Sequence, residues 1–265
     1  MNELITCAAS LSIGLILGII GAGGSILTIP VFVYILKMDP LPSSIYSMFV
    51  VGICGLTGGI KSIFNKLVDF KLTILFGIPS IIGVLIARKL IFPSIPLQLI
   101  TIGDFVLTRN ILFMLCFSVL MLISGFRMLM VSSGKDKTPD DHTGRNPGWL
   151  FLQGLFVGVI TGLLGIGGGF LIVPALYFWG RVDMKTAIGT TLIIIAMNSL
   201  FSFATSYSNA IIDWSILIKF SLGSILGILI GTFLSDKIQG YQLKKIFGCF
   251  VLTLSVVIMY NQFFL

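Results

Sequence analysis

Gly18-Ile-Ile-Gly-Ala-Gly-Gly-Ser-Ile-Leu-Thr-Ile-Pro30 returns 144 residues later as Gly162-Leu-Leu-Gly-Ile-Gly-Gly-Gly-Phe-Leu-Ile-Val-Pro174, with six of 13 positions identical. Each copy lies in the middle of an overlong apolar run, 4–36 and 149–180. At about 1.5 Å per residue, a straight helix of either length would overshoot a hydrocarbon core of roughly 30 Å. Glycine costs about 1 kcal/mol relative to alanine in a helix. The clusters Gly21, Gly23, Gly24 and Gly165, Gly167, Gly168, Gly169 are therefore expected to unwind or sharply bend their runs.

Around these motifs the chain reads as membrane protein. Of 265 residues, 56% are hydrophobic and 10% charged, with mean hydropathy +1.09, whereas soluble domains carry about 25% charged residues. Six further apolar runs stand at 43–64, 72–92, 111–131, 185–207, 214–234 and 245–264. Lipid cannot hydrogen-bond the backbone, so spanning segments are helices or closed barrels, and barrel strands would alternate in polarity. The expected fold is an all-α integral membrane protein of about eight hydrophobic helical segments in two homologous four-segment repeats. The first segment of each repeat is broken at its glycines. The polar stretch Ser132–Gly148 divides the chain into a first membrane repeat (1–131), a linker (132–148) and a second repeat (149–265).

The offset of 144 extends beyond the glycine motifs. It also pairs Asp39 with Asp183, Asn65 with Asn209, Asp69 with Asp213 and Gly83 with Gly227. After extra residues near Pro93–Asn110, the copies realign at Cys116-Phe117 and Cys249-Phe250.

Broken backbone at membrane depth is tolerated where it is buried in protein or lines a wet cavity. Glycine-interrupted segments at matching places in two halves point to a transporter's binding site, and free amides at a helix start suit an anion. The alternative is that small residues only let helices pack closely. Ser25, Ser47, Thr190, Thr191 and Asn198 place polar groups in or beside the same segments. They can serve as interhelical hydrogen-bond glue or solvate a substrate oxyanion. Asp69 and Asp213 precede new apolar runs, where an N-cap role competes with proton coupling.

The net charge of +7 fits basic cytoplasmic loops rather than a nucleic-acid partner. Cys7, Cys54, Cys116 and Cys249 stand singly in apolar surroundings, and His142, the one histidine, lies in the linker. No metal site, cofactor motif or catalytic constellation is visible, so an enzyme is not expected. If all eight segments cross, Lys and Arg divide 8 against 9 between the two faces. If the first and fifth turn back at their glycines, Lys37, Arg88, Lys89, Arg109 and Lys219 share one face and the other 12 the opposite one. The positive-inside rule prefers the second division, which would invert the two halves.

On GIIGAGGSILTIP, GLLGIGGGFLIVP, the AIGTTL of the sixth run and NAIIDW before the seventh, the sequence resembles the sulfite exporter TauE/SafE family of membrane permeases. The resemblance implies a secondary transporter of a small anion such as sulfite, a sulfonate or another organosulfur anion. Its setting would be the lipid bilayer of a bacterial inner (cell) membrane. Where copy two reads Ala187-Ile-Gly-Thr-Thr191, copy one has Ser43-Ser-Ile-Tyr-Ser47, so the pattern is not equal in the two halves. The alternative function is a non-transporting membrane scaffold. A homo-oligomer is compatible with either.

Overall fold

The computed structural model describes residues 3–22, 24–91, 94, 98–102, 105–130, 147–164, 169–207 and 212–264. Helix α1 (Glu3–Ile20) stops at Gly21, whose φ of +74° is the left-handed conformation glycine supplies at a helix C-terminus. The chain resumes as α2 (Gly24–Pro30) and a π-helical turn, Val31–Ile35. Then follow α3 (Pro40–Phe64) and α4 (Phe70–Ile86), the latter ending in a second π-turn, Ala87–Ile91. After these come β1 (Gln98–Ile102), β2 (Phe105–Thr108) and α5 (Arg109–Met130). The second half contains α6 (Pro147–Leu164), α7 (Gly169–Phe178), α8 (Met184–Ser206), α9 (Trp214–Lys237) and α10 (Gly240–Phe264).

The first overlong run is thus divided into two helices at its glycine motif; in the second, helix is described up to Leu164 and again from Gly169, and the motif residues 165–168 lie outside the described residues. The departure from helix among the described residues is the antiparallel ribbon β1–β2, with Ile102 opposite Phe105. It falls in the extra residues between the third and fourth runs, where the hydropathy pattern gave no element. The linker expected over 132–148 lies outside the described residues as far as 146.

The molecule is apolar outside. Ile74, Ile78 and Ile82 form an exposed stripe along α4, and Leu222, Leu226 and Phe233 do so along α9. In water such faces would be buried; here they fit lipid. Trp149, Trp179 and Trp214, near helix ends, are half-exposed, as interfacial aromatics are. Five described helices are long and apolar enough to cross a membrane: 42–64, 70–91, 184–206, 214–237 and 240–260.

Glycines fix the packing directions. Along α3, Gly52 meets Leu200, Gly55 meets Ala196 and Gly59 meets Ile193, so α3 and α8 run antiparallel. Gly154, Gly158 and Gly162 of α6 lie against Phe76, Ser80 and Val84, so α6 is parallel to α4. Gly14 and Gly18 of α1 lie against Ser224 and Ile228, so α1 is parallel to α9. The fourth extensive pair is α5 with α10, antiparallel, with Gly125 and Gly248 at their contact.

Candidate functional site

After Gly21 the chain reverses. A Cβ on Gly24 would stand 2.8 Å from the Cβ of Leu17 and 3.0 Å from the carbonyl oxygen of Ile13, although Ile13 precedes it by 11 residues. In an unbroken helix that separation would be about 16 Å at 1.5 Å per residue. Gly169, at the end of the second motif, comes to the same place: a Cβ on it would lie 3.1 Å from Cα of Ala22. Around the junction, Gly21 faces Ile188 and Gly169 faces Ile195 on α8. These glycines therefore sit in close contact with side chains. Gly23, Gly165, Gly167 and Gly168 lie outside the described residues, as does the side chain of Ser25.

The aspartates act as helix caps. Asp69 Oδ1 accepts from Leu72 N at 3.0 Å, Asp183 Oδ2 from Thr186 N at 3.1 Å, and Asp213 Oδ1 from Ser215 N at 2.9 Å. Each satisfies an amide that the first turn leaves free. The backbone amides of Asp69 and Asp213 donate across the molecule, to Thr190 Oγ1 at 3.0 Å and to the Tyr46 hydroxyl respectively. Thr190 thus ties the start of α4 to the start of α8. Tyr46 does the same for α9 and α3.

Among the described residues, buried side-chain polar groups without partners occur at Arg88, Gln153, Thr191, Asn198, Ser199 and Ser224, and three of these, Arg88, Asn198 and Ser199, meet between α4, α6 and α8. Arg88, in the π-turn after α4, donates from Nη1 to Ser206 Oγ at 2.6 Å and from Nη2 to Met48 Sδ at 3.3 Å. Asn198 Nδ2 donates to Ser80 Oγ at 2.7 Å. Arg88, Thr161, Asn198, Ser199 and Ser202 line one small cavity, walled also by Met48 and Val84. It has about 10 Å³ of space, roughly what one water needs. Among the described residues, Arg88 Nε, Asn198 Oδ1 and Ser199 Oγ are buried there without a hydrogen-bond partner. Each such group costs about 1–3 kcal/mol, and native proteins rarely leave several unmet in one place.

Of the site residues expected from sequence, Asn198 lines this cavity, and Ser47 is buried beside Met48 on α3. Thr190 is committed to the Asp69 amide. Thr191 is buried with its hydroxyl unpartnered among the described residues, two turns before Asn198 on α8. Arg88, Thr161, Ser80 and Ser202 were not singled out as binding residues by the sequence, whereas Ser199 stands with Asn198 among the polar groups that can glue helices or solvate an oxyanion. A signal for Arg88 was present, since it falls inside the apolar run 72–92 rather than beyond it. So was one for α8: positions 191, 198, 202 and 206 are all polar and share one helical face.

Compared with known proteins, residues 6–258 match the family described as Sulfite exporter TauE/SafE. The chain is similar to a "Probable membrane transporter protein" of Xylella fastidiosa (strain 9a5c), 25% identical over 98% of this chain and 95% of that one. It is 23% identical to "Probable membrane transporter protein YunE" of Bacillus subtilis (strain 168), end to end on both chains. It is 34% identical to "Probable membrane transporter protein MJ0441" of Methanocaldococcus jannaschii, over 39% of this chain and 41% of that one. No solved structure matches.

Proposed function

The chain belongs to the sulfite exporter TauE/SafE family, and on that premise we propose that it is a secondary transporter, a permease moving a small anion by alternating access. The observation that supports this reading is that contacts come in pairs exchanged by the offset of 144. Gly18 against Ile228 answers Gly162 against Val84, and Gly227 against Leu11 answers Gly83 against Leu155. The Asp69–Thr190 bond answers Asp213–Tyr46. With α3 antiparallel to α8, the exchange favours two homologous halves of opposite orientation, the construction secondary transporters use to rock around a central site.

In this reading Gly21, Gly23, Gly24 and Ser25, with Gly165, Gly167, Gly168 and Gly169, form the paired re-entrant turns at mid-membrane. Ser47, Thr190, Thr191 and Asn198 lie along the route between them. The cargo is sulfite, a sulfonate or a related organosulfur anion. The setting is a bacterial inner membrane. The tight glycine contacts are what a non-transporting scaffold would also need, so flux decides. The full chain in lipid vesicles should carry labelled sulfite or sulfonate above empty-vesicle leakage. An inserted, folded chain that carries none would leave only the scaffold.

A further inference from the structure

We propose that Arg88, Ser199 and Asn198 form the anion site of the transport reading just given, that each chain has one such site, and that it takes a small, singly charged oxyanion. An arginine held within a bundle of apolar helices is costly and, where retained, marks a substrate path or site. Here the Nε–H of Arg88 and the hydroxyl of Ser199 are buried beside one cavity with no acceptor among the described residues. An oxyanion supplies acceptors to both. Asn198 fits either way round. As placed, its Oδ1 accepts from a protonated oxyanion. Turned over, it keeps its Ser80 contact, because a hydroxyl donates as well as accepts, and directs N–H groups at the guest.

Charge sets the class. Among the described residues, Arg88 is the one charged side chain on the cavity wall, whose other lining residues are neutral. A monoanion cancels it, whereas a dianion would leave an uncompensated charge away from water. The cavity as it stands holds only one water, so the guest is small and the wall gives way around it. Met48 is suited to that, being flexible and polarisable.

The other half supplies the control. Shifted by 144, Arg88 falls on Thr232, Asn198 on Cys54, Ser199 on Gly55, Ser202 on Gly58 and Thr161 on Leu17. There the space is filled: a Cβ on Gly58 would lie 2.7 Å from Ile228 Cδ1 and 3.2 Å from Leu192 Cδ1. The space itself is thus closed by apolar side chains there, although Ser224, the counterpart of Ser80, keeps a buried hydroxyl unpartnered among the described residues and Thr232 accepts from Lys61 Nζ at 3.0 Å; what has no counterpart is the set Arg88, Asn198 and Ser199. The π-turn is equally one-sided. Residues 87–91 form it, while the equivalent 231–235 are ordinary α-helix.

Methanesulfonate (singly charged) and sulfate (doubly charged) are the probes, tested by calorimetry on the detergent-purified full chain and by flux into vesicles. Methanesulfonate should bind saturably, and sulfate should not displace it. Arg88→Gln should weaken methanesulfonate binding by roughly tenfold or more, and Ser199→Ala by roughly three- to tenfold, as expected for losing hydrogen bonds to a charged group. Arg88→Lys should fall between Arg88→Gln and wild type, and Cys54→Ala on the opposite side should change nothing. Ser199→Ala, a small change, keeps the test valid if Arg88→Gln fails to fold. Wild-type affinity in folded Arg88→Gln or in Ser199→Ala, with wild-type flux intact, overturns this site and spares the transport reading. Sulfate binding as tight as methanesulfonate overturns the charge class. A wild-type chain carrying no anion overturns both.

Discussion

Replacing Gly18 by alanine tests the contact on which the helix pairing rests. The new Cβ would meet Ile228 O and Thr232 N, both at 2.7 Å. Ordinary contact begins near 3.4 Å, so α1 and α9 must part by about 0.7 Å, and both neighbours are backbone atoms that no rotamer change can move. Overpacking of this kind costs typically 1–3 kcal/mol, against about 1 kcal/mol that alanine returns in helix propensity. Net destabilisation should reach about 2 kcal/mol, at roughly 2–4 °C per kcal/mol. Gly162→Ala should behave alike, since its Cβ would stand 2.8 Å from Ala87 Cβ and 2.9 Å from Val84 Cα. Gly77→Ala is the contrast. Its nearest neighbour is 3.5 Å away, a side-chain atom of Ile194, so the propensity gain survives and stability holds or rises. Thermal unfolding of the detergent-solubilised chain, followed by tryptophan fluorescence, reads all three. Gly18→Ala melting at or above wild type, or Gly77→Ala melting lowest, would refute the reasoning.

Loss of a helix cap should also be measurable. Asp69→Ala and Asp213→Ala should each lower stability by about 1 kcal/mol, while Asp39→Ala, whose side chain makes no cap bond, should do less in the same melt. Single cysteines at Lys71 and Arg181, both exposed, should react with an impermeant thiol reagent from the same face of sealed vesicles if the fifth segment turns back at its glycines. Labelling of the two positions from opposite faces would defeat the re-entrant topology.

Much of the fold was legible because the bilayer leaves few choices. Apolar runs of spanning length had to become helices, and the first overlong run breaks at Gly21, where glycine turns left-handed. Helix starts were legible from Asp69 and Asp213 for the same local reason, and Asp183 proves to cap α8 in the same way. The ribbon at 98–108 was not, because a short two-stranded element leaves no long-period signal. The cavity was half legible. Asn198 is conspicuous in an apolar helix, but Arg88 near the end of its run reads equally as a snorkelling charge. What separates the two readings is the π-turn and the Ser206 contact, and both depend on how α4 meets α8 in space.

The seam between α3 and α8 has a mechanical consequence. On α3 it is lined by Gly52, Gly55, Gly58 and Gly59, and the bulk comes from Leu192, Ile193 and Leu200 opposite. Each large side chain is seated in the notch that a glycine leaves, so the two helices are held close and in register. They should move as one piece, with Asn198 and Ser199 keeping their height against α3. A leucine at Gly59 would have no notch to occupy and should wedge the pair apart, and a wild-type melting temperature in that variant would show that the seam is not so keyed.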